Sequence, residues 1–262
     1  MEHFPARVRP LRSAAEGQAA PAGASERTVE RLPFTIRRVQ TEADLLKAVA
    51  IRHAAYARHL PEFAKTLARP EACDYDSDAV ILLAESKLDG SAMGSTRIQT
   101  NVQQALHVED SVELPLWLMT RRLAEVTRLG IEEGRVGRLV KLALIKACFD
   151  YCEQNQVEYA VVTGRTPIDR QYEQLLFSDV FPGKPLIPLR HVGNLPHRVM
   201  AFEIETGEAR WSAAAHPLLG FFRHTRHPDI DVSDKRQPRA RLQAPQPQAH
   251  AQGTLFSGNF NV

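Results

Sequence analysis

The sequence has no run of about 18 apolar residues, so nothing in it reads as a membrane span. Its opening, "MEHFPARVRPLRSAAEGQAAPAGASE", lacks the apolar stretch of a secretory signal. Residues 1–33 are rich in Ala, Gly, Pro and Arg and read as a disordered leader rather than a transit peptide. Cysteine is scarce. Cys73, Cys148 and Cys152 cannot build a disulfide framework, and no second pair completes a metal site beside Cys148 and Cys152. They read as small core residues of a protein in the reducing cytoplasm. Neither sign of charge dominates: 33 basic against 31 acidic residues leave a formal net charge of +2, which gives no ground for a nucleic-acid partner. Neither G-x-G-x-x-G nor G-x-x-x-x-G-K-[ST] occurs, and no internal repeat is visible.

What is present is an ordinary globular composition, 44% hydrophobic and 24% charged, in a chain long enough to bury a core. "PFTIRRV" reads as a strand. "TEADLLKAVAIRHAAYARH" reads as a helix capped by Thr41, with Asp44 three residues on. "DAVILLAES" and "SAMGSTRIQT" form a hairpin across Asp89-Gly90. After a looser region containing "DSVELPLWLM" come a strand, "LAEVTRLGI", and a long helix, "RLVKLALIKACFDYCEQN". A buried strand, "VEYAVVTG", a shorter helix, "PIDRQYEQLLF", and the strands "LIPLRHV" and "HRVMAFEIE" follow. This order predicts a mixed α/β (α+β) domain over 34–231, with helices flanking a central mixed, twisted sheet. Residues 232–262 read as a flexible, disordered tail.

Several charges sit where apolar residues belong. Leu45, Val49, Arg52 and Tyr56 fall on one stripe of the first helix, so Arg52 lies on the face that Leu45 and Val49 mark as buried. Arg97 stands mid-strand between Thr96 and Ile98. Glu125 and Arg128 stand in an apolar strand, three apart, where strict alternation points them to opposite sides. "CDYDSD" brings Asp74, Asp76 and Asp78 just before another apolar strand. Each has a plain alternative: a snorkelling arginine, a solvated loop, a structural ion pair. Together they predict that arginines and carboxylates meet, because an unpaired buried charge costs several kcal/mol. Such a cluster is more often a site than a stabilising device. It would hold a charged or zwitterionic substrate. Beyond the strand, Gly134 and Gly137 permit close backbone approach, and Arg135, Arg138 and Lys141 line one side of the helix start. That end is either a phosphate site or a solvated basic turn.

In this order, "IRHAAY" (Arg52, Tyr56), "CDYDSD" (Asp76), "GSTRI" (Arg97) and "AEVTRLGI" (Glu125, Arg128) resemble the acyl-homoserine-lactone synthases. Those are acyl-carrier-protein-dependent members of the GNAT acyltransferase superfamily. "TGRTPIDRQYEQLLFSDVF" and "HPLLGFFRHTRHPDI" look like the related long-chain N-acyl amino acid synthases, and the resemblance covers roughly 34–231. The first aspartate position of the family pattern falls on Cys73, with Asp74 as its stand-in. "EEGRVG" keeps two glycines of the GNAT pyrophosphate motif but begins with an acid. That suits the single phosphate of a carrier protein's phosphopantetheine arm better than coenzyme A.

The resemblance implies a GNAT-like fold and an N-acyltransferase with no bound cofactor and no metal. Its donor would be an acyl-phosphopantetheine thioester on acyl carrier protein (alternatively acyl-coenzyme A), and its acceptor the α-amine of an amino acid. Glu125 would be the general base or, equally, a structural partner of Arg52 or Arg97. A bulged backbone N–H near Val126–Thr127 would hold the oxyanion, and that bulge would bring Glu125 and Arg128 toward one side. Arg52, Tyr56, Asp74, Asp76, Arg97 and Arg128 would hold the acceptor. Gly134, Arg135, Gly137, Arg138 and Lys141 would receive the donor phosphate and its carrier. The acyl chain would enter between splayed strands, and the lipid product would give weak contact with a membrane surface. Two alternatives stay open: a homoserine-lactone synthase using S-adenosylmethionine, and a catalytically silent domain that binds a carrier protein.

Overall fold

The computed structural model describes residues 28–233; residues 1–27 and 234–262, most of the expected leader and tail, lie outside the described residues. A short strand, β1 (Thr28–Val29), precedes the expected domain start. Then come β2 (Phe34–Arg38), α1 (Glu42–Ala57), α2 (Pro61–Ala64), β3 (Ala79–Ser86), β4 (Ala92–Thr100), α3 (Leu116–Met119) and β5 (Leu123–Ile131). The second half holds α4 (Arg135–Gln154), β6 (Tyr159–Gly164), α5 (Ile168–Gln174), β7 (Ser178–Asp179), β8 (Ile187–Leu189) and β9 (Leu195–Glu203). It ends with α6 (Gly207–Ala213), β10 (Thr225–Arg226) and β11 (Ile230–Asp231). Sequence patterning does not pick out α2, α3, α6 or the four two-residue strands β1, β7, β10 and β11, which are too short to show a period. "LIPLRHV" is strand only over Ile187–Leu189; Arg190–Val192 turns as a tight helical loop instead.

One nine-stranded mixed sheet organises the domain, in the order β11-β2-β3-β4-β5-β6-β9-β7, with β8 on β9. Pairing is parallel at β11–β2 and β5–β6 and antiparallel elsewhere. β1 and β10 form a separate parallel pair. Side chains alternate along each strand, so the sheet has two different faces. On one lie Val80, Leu82, Ile98, Ala124, Val162, Met200 and Phe202, covered by α4. Phe149 of α4 sits within 5.1–6.2 Å of Phe177, Phe202, Trp211 and Phe222, centroid to centroid. The other face carries Ile81 and Leu83 under Leu45, Ala48 and Val49 of α1. Cys148 and Cys152 are buried beside α4's aromatic core, as small core residues.

α1 starts where the sequence indicates: the Thr41 hydroxyl accepts from the Asp44 N–H at 3.1 Å. It crosses β5 at Gly130, where a Cβ would stand 2.9 Å from the Arg52 Cα. Gly130 thus lets helix and strand approach closely enough to bring Arg52 over the sheet.

Two irregularities in β5 shape the α1 side of the sheet. The first is a bulge. Ser95 pairs with Gly130 and Arg97 with Thr127, so two steps in β4 face three in β5. Arg128 takes the extra place at φ 57°. The insertion flips its side chain to the face of Glu125. The bulge falls at Arg128, just after Val126–Thr127, which still pair regularly with Ile98 and Arg97. The second is a splay. β5 and β6 pair only from Leu123↔Tyr159 to Val126↔Val162. From Thr127 to Ile131 the β6-facing edge of β5 has no strand partner among the described residues.

Candidate functional site

Four of the charges singled out in the sequence converge on the α1 side of the sheet. Arg52 of α1 is 3% exposed and Arg97 of β4 is 1% exposed. The Arg52 guanidinium grips Asp74 with two hydrogen bonds, Nη1–Oδ1 at 3.0 Å and Nη2–Oδ2 at 2.8 Å. Arg97 Nη1 donates to Asp74 Oδ1 at 3.0 Å, to Cys73 Sγ at 2.8 Å and to Glu71 Oε2 at 3.1 Å. The bulged Arg128 makes a forked pair with Glu71, at 2.8 Å from Nε and 2.7 Å from Nη2, and also donates to the His191 carbonyl. Its guanidinium lies over the Phe63 ring, 5.4 Å from the centroid.

Asp74, not Asp76, is therefore the aspartate that meets the arginines. Asp76 faces away and accepts from Gln104 at 2.7 Å, because the turn Ala72–Tyr75 rotates the chain between the two. The second carboxylate is Glu71, which the sequence pattern does not single out. It caps that turn, and its side chain points inward to all three arginines. Its one visible signal was its place three residues before Asp74, a capping-box spacing. Burial alone would push Glu71 up, but the hydrogen bonds from Arg128 and the charges of Arg97 and Arg52 hold it at about 2. Asp74 is lowered in the same way: burial opposes, and the Arg52 fork wins. Tyr56 stands at the rim, half-buried, with its ring 5.9 Å from Phe63.

Glu125 sits beside this cluster without joining its ion pairs. It is 0% exposed, and its Oε2 accepts the Val108 N–H at 3.3 Å. Burial pushes the carboxyl up to about 7; the Val108 N–H and the charges of Arg97 and Arg128 pull only partly against it. Two rings flank it: His107 Nδ1 at 3.9 Å from Oε2, and His191 Nε2 at 3.6 Å from Oε1. Burial, then the nearby arginines, lower both imidazoles, His191 to about 3, so these are not ion pairs at neutral pH. Both histidines were missed in the sequence. They lie on the short turns His107–Asp110 and Arg190–Val192, far apart in the chain.

With Glu71 and Asp74 ionised and Glu125 near its midpoint, three arginines face two full negative charges. Among the described residues, Arg52 Nε, Arg97 Nε and Nη2, and Arg128 Nη1 are buried without an acceptor. Glu125 Oε1, Thr127 Oγ1 and Gln99 Oε1 are likewise unpartnered. Buried polar atoms are rarely left so, and here they crowd one place. Among the described residues, no group of three His, Cys, Asp or Glu is placed to hold a metal.

The other end of β5 runs into α4. Gly134 caps that helix at φ 120°, and a Cβ on it would meet nothing within 4 Å. Gly137 is required for a different reason: a Cβ there would stand 2.2 Å from the Glu132 carbonyl oxygen. The first N–H groups of α4 have no partner within the helix. Arg135 and Arg138 are exposed beside them, without an ion pair among the described residues. Lys141 turns away, half-buried, to donate to Gln171 of α5 at 2.6 Å.

The sequence matches no protein-family model and no curated protein sequence. Solved structures do match. FeeM, an N-acyl amino acid synthase from uncultured soil microbes, is 16% identical; the match covers 72% of this chain and 96% of that one, with a TM-score of 0.51. BjaI, a CoA-dependent acyl-homoserine lactone synthase, is 17% identical over 78% of this chain and 95% of that one, with a TM-score of 0.53. The fold is GNAT-like. The fold class and the structural likeness expected from the sequence are both found. Among the described residues no helix is long and apolar enough to cross a membrane.

Proposed function

We propose that this GNAT-like chain is an N-acyltransferase that moves a long-chain fatty acyl group from an acyl-carrier-protein thioester to the α-amine of an amino acid. One observation carries the reading: buried guanidinium donors without acceptors stand beside a buried carboxyl group poised near neutrality. An α-amino acid complements both. Its carboxylate meets the surplus N–H groups of Arg52, Arg97 and Arg128, and its ammonium group meets Glu125. A carboxylate with a pKa of about 7 is well matched to take a proton at neutral pH. Glu71 and Asp74 hold the arginines in place, and Tyr56 closes the rim. Asp76, turned toward Gln104, acts at most through that loop.

The thioester carbonyl would sit at the unpaired edge of β5, where backbone groups after Val126–Thr127 face the splay. A backbone N–H there would stabilise the oxyanion. The acyl chain would run into the gap between β5 and β6. The phosphopantetheine phosphate would rest on the α4 N-terminus at Gly134, with Gly137 holding the turn and Arg135 and Arg138 steering an acidic carrier. Lys141, engaged with Gln171, supports α5 instead. The enzyme would work in the cytoplasm, where acyl carrier protein resides, and release a lipid-like product that meets membrane surfaces weakly.

The test is mass spectrometry of lipid extracts from cells expressing the chain, followed by assays with acyl-carrier-protein and acyl-CoA donors. An N-acyl amino acid made from the carrier-protein donor is the expected product. An acyl-homoserine lactone formed only with S-adenosylmethionine would replace this reading with the lactone-synthase one. No acylated product from a folded, carrier-binding protein would make it a silent binding domain.

A further inference from the structure

The reaction proposed above has a proton balance that the site must meet. An ammonium group and a thioester enter; an amide and a thiol leave; one proton per turnover is left over. Glu125, which would receive it, is 0% exposed and has no direct path to water. His107 and His191 are the rings that touch its surroundings, 6.0 Å apart by centroid. They differ in one respect. Both nitrogens of His191 are buried and, among the described residues, unpartnered, and its side chain is 5% exposed. In His107 only Nδ1 is buried without a partner, and the side chain keeps 20% exposure. One ring ends in the interior; the other joins a sealed carboxyl group to the surface.

Resting on that reading of Glu125, we propose that His107 is the proton exit of the site, taking the acceptor's proton from the Glu125 carboxyl group at Nδ1 and releasing one from Nε2 to water. In balance, the acceptor N–H bond breaks as a Glu125 O–H bond forms. That O–H bond then breaks as His107 Nδ1–H forms, Nε2–H gives its proton to bulk water, and exchange of the ring protons with solvent restores the Nε2–H tautomer before the next turnover. The neutral ring must start as the Nε2–H tautomer, with Nδ1 free to accept. The 3.9 Å between Nδ1 and Oε2 is longer than a hydrogen bond, so the ring must close on the carboxyl group in the substrate complex, as catalytic contacts that are long in a free enzyme do. Arg97 and Arg128 on β4 and β5, opposed by Asp110 and Glu71, are the charges that face the ring. The two arginines disfavour the imidazolium, so His107 passes the proton on rather than storing it. His191 lacks an outlet and lies off this path.

The experiment compares full-length wild type, His107→Ala, His107→Gln and Glu125→Gln in steady-state thiol release from an acyl-carrier-protein thioester, with the acceptor amino acid found by mass spectrometry. His107→Ala should lower kcat about tenfold or more, the scale of a lost proton-transfer group, with both KM values within about twofold. Imidazole or 4-methylimidazole should restore the rate saturably, because the cavity left by the ring admits a mobile base. His107→Gln fills that space, so it should be equally slow, unrescued, and show a larger solvent deuterium isotope effect. A wild-type kcat in either His107 variant overturns the relay, as does a loss in folded His107→Ala that no buffer base restores. Should Glu125→Gln turn over normally, the Glu125 reading falls and the relay with it. If Glu125→Gln is slow while His107→Ala is not, only the relay falls.

Discussion

The two faces of the sheet are made by the same strands and have opposite characters. On the α4 side, Ile98 and Ala124 join Phe149, Phe202, Trp211 and Phe222 in a continuous apolar core. One residue away, on the α1 side, Arg97 and Glu125 are just as buried but are held by ions and orphan polar atoms. The two faces divide the labour. The apolar face supplies stability through removed surface and dense packing. The charged face spends some of that stability to keep donors unpaired and a carboxyl group half-ionised.

The largest effects should come from breaking either face. Phe149→Ala should destabilise the domain by about 3–5 kcal/mol, read in urea titrations, and lower activity only as far as the fold is lost. Asp74→Ala should cost a similar 3–5 kcal/mol or so, but for a different reason: it strands Arg52 and Arg97 as buried charges. The sharper comparison is Arg52→Met with Asp74→Leu, which removes both partners. If the double variant is no more stable than Asp74→Ala, the charged face is not held together by mutual compensation.

Glu125→Gln separates the faces most cleanly. Turnover should fall by roughly 10²-fold or more. Stability should move the other way, and only at high pH. Glu125 rises from about 4.5 unfolded to about 7 folded, so the folded state holds its proton over that window. Wild-type stability from this group is therefore complete below pH 4.5 and is lost as pH rises through 7. Glutamine mimics the protonated form, so the variant should match wild type in acid and gain up to roughly 3 kcal/mol above pH 7. Thermal melts across pH would show it; a gain that persists unchanged at pH 4 would contradict a raised Glu125 pKa.

Smaller effects lie outside both faces. Arg138→Glu should raise KM for the carrier-protein donor several-fold more than for a short acyl-pantetheine, with the difference shrinking in high salt. Equal defects for both donors would remove α4 as the docking surface. Thr41→Ala, which loses the α1 cap, should cost about 1 kcal/mol and leave kcat unchanged.

Much of this was legible in the chain. The long periodic elements, α1 and α4, and the apolar strands β3 and β6 announced themselves because burial on one stripe or both faces leaves a repeating pattern. Arg52, Arg97, Glu125 and Arg128 stood out because charges interrupted those patterns. Glu71, His107 and His191 did not, since they lie in short turns with no period to interrupt.

The sequence by itself therefore determined the mixed α/β fold and the fact that arginines must meet carboxylates inside it, because alternation and helical spacing are local properties and buried charge demands a partner. Tertiary structure alone decided which carboxylates those are. It turned Asp74 inward and Asp76 outward, and brought Glu71 under three arginines. It also flipped Arg128 onto the face of Glu125 through one extra residue, and closed two distant histidines around that carboxyl group. Each of these depends on register between elements far apart in the chain, and register is set by how the whole sheet and its helices pack rather than by any local run of residues.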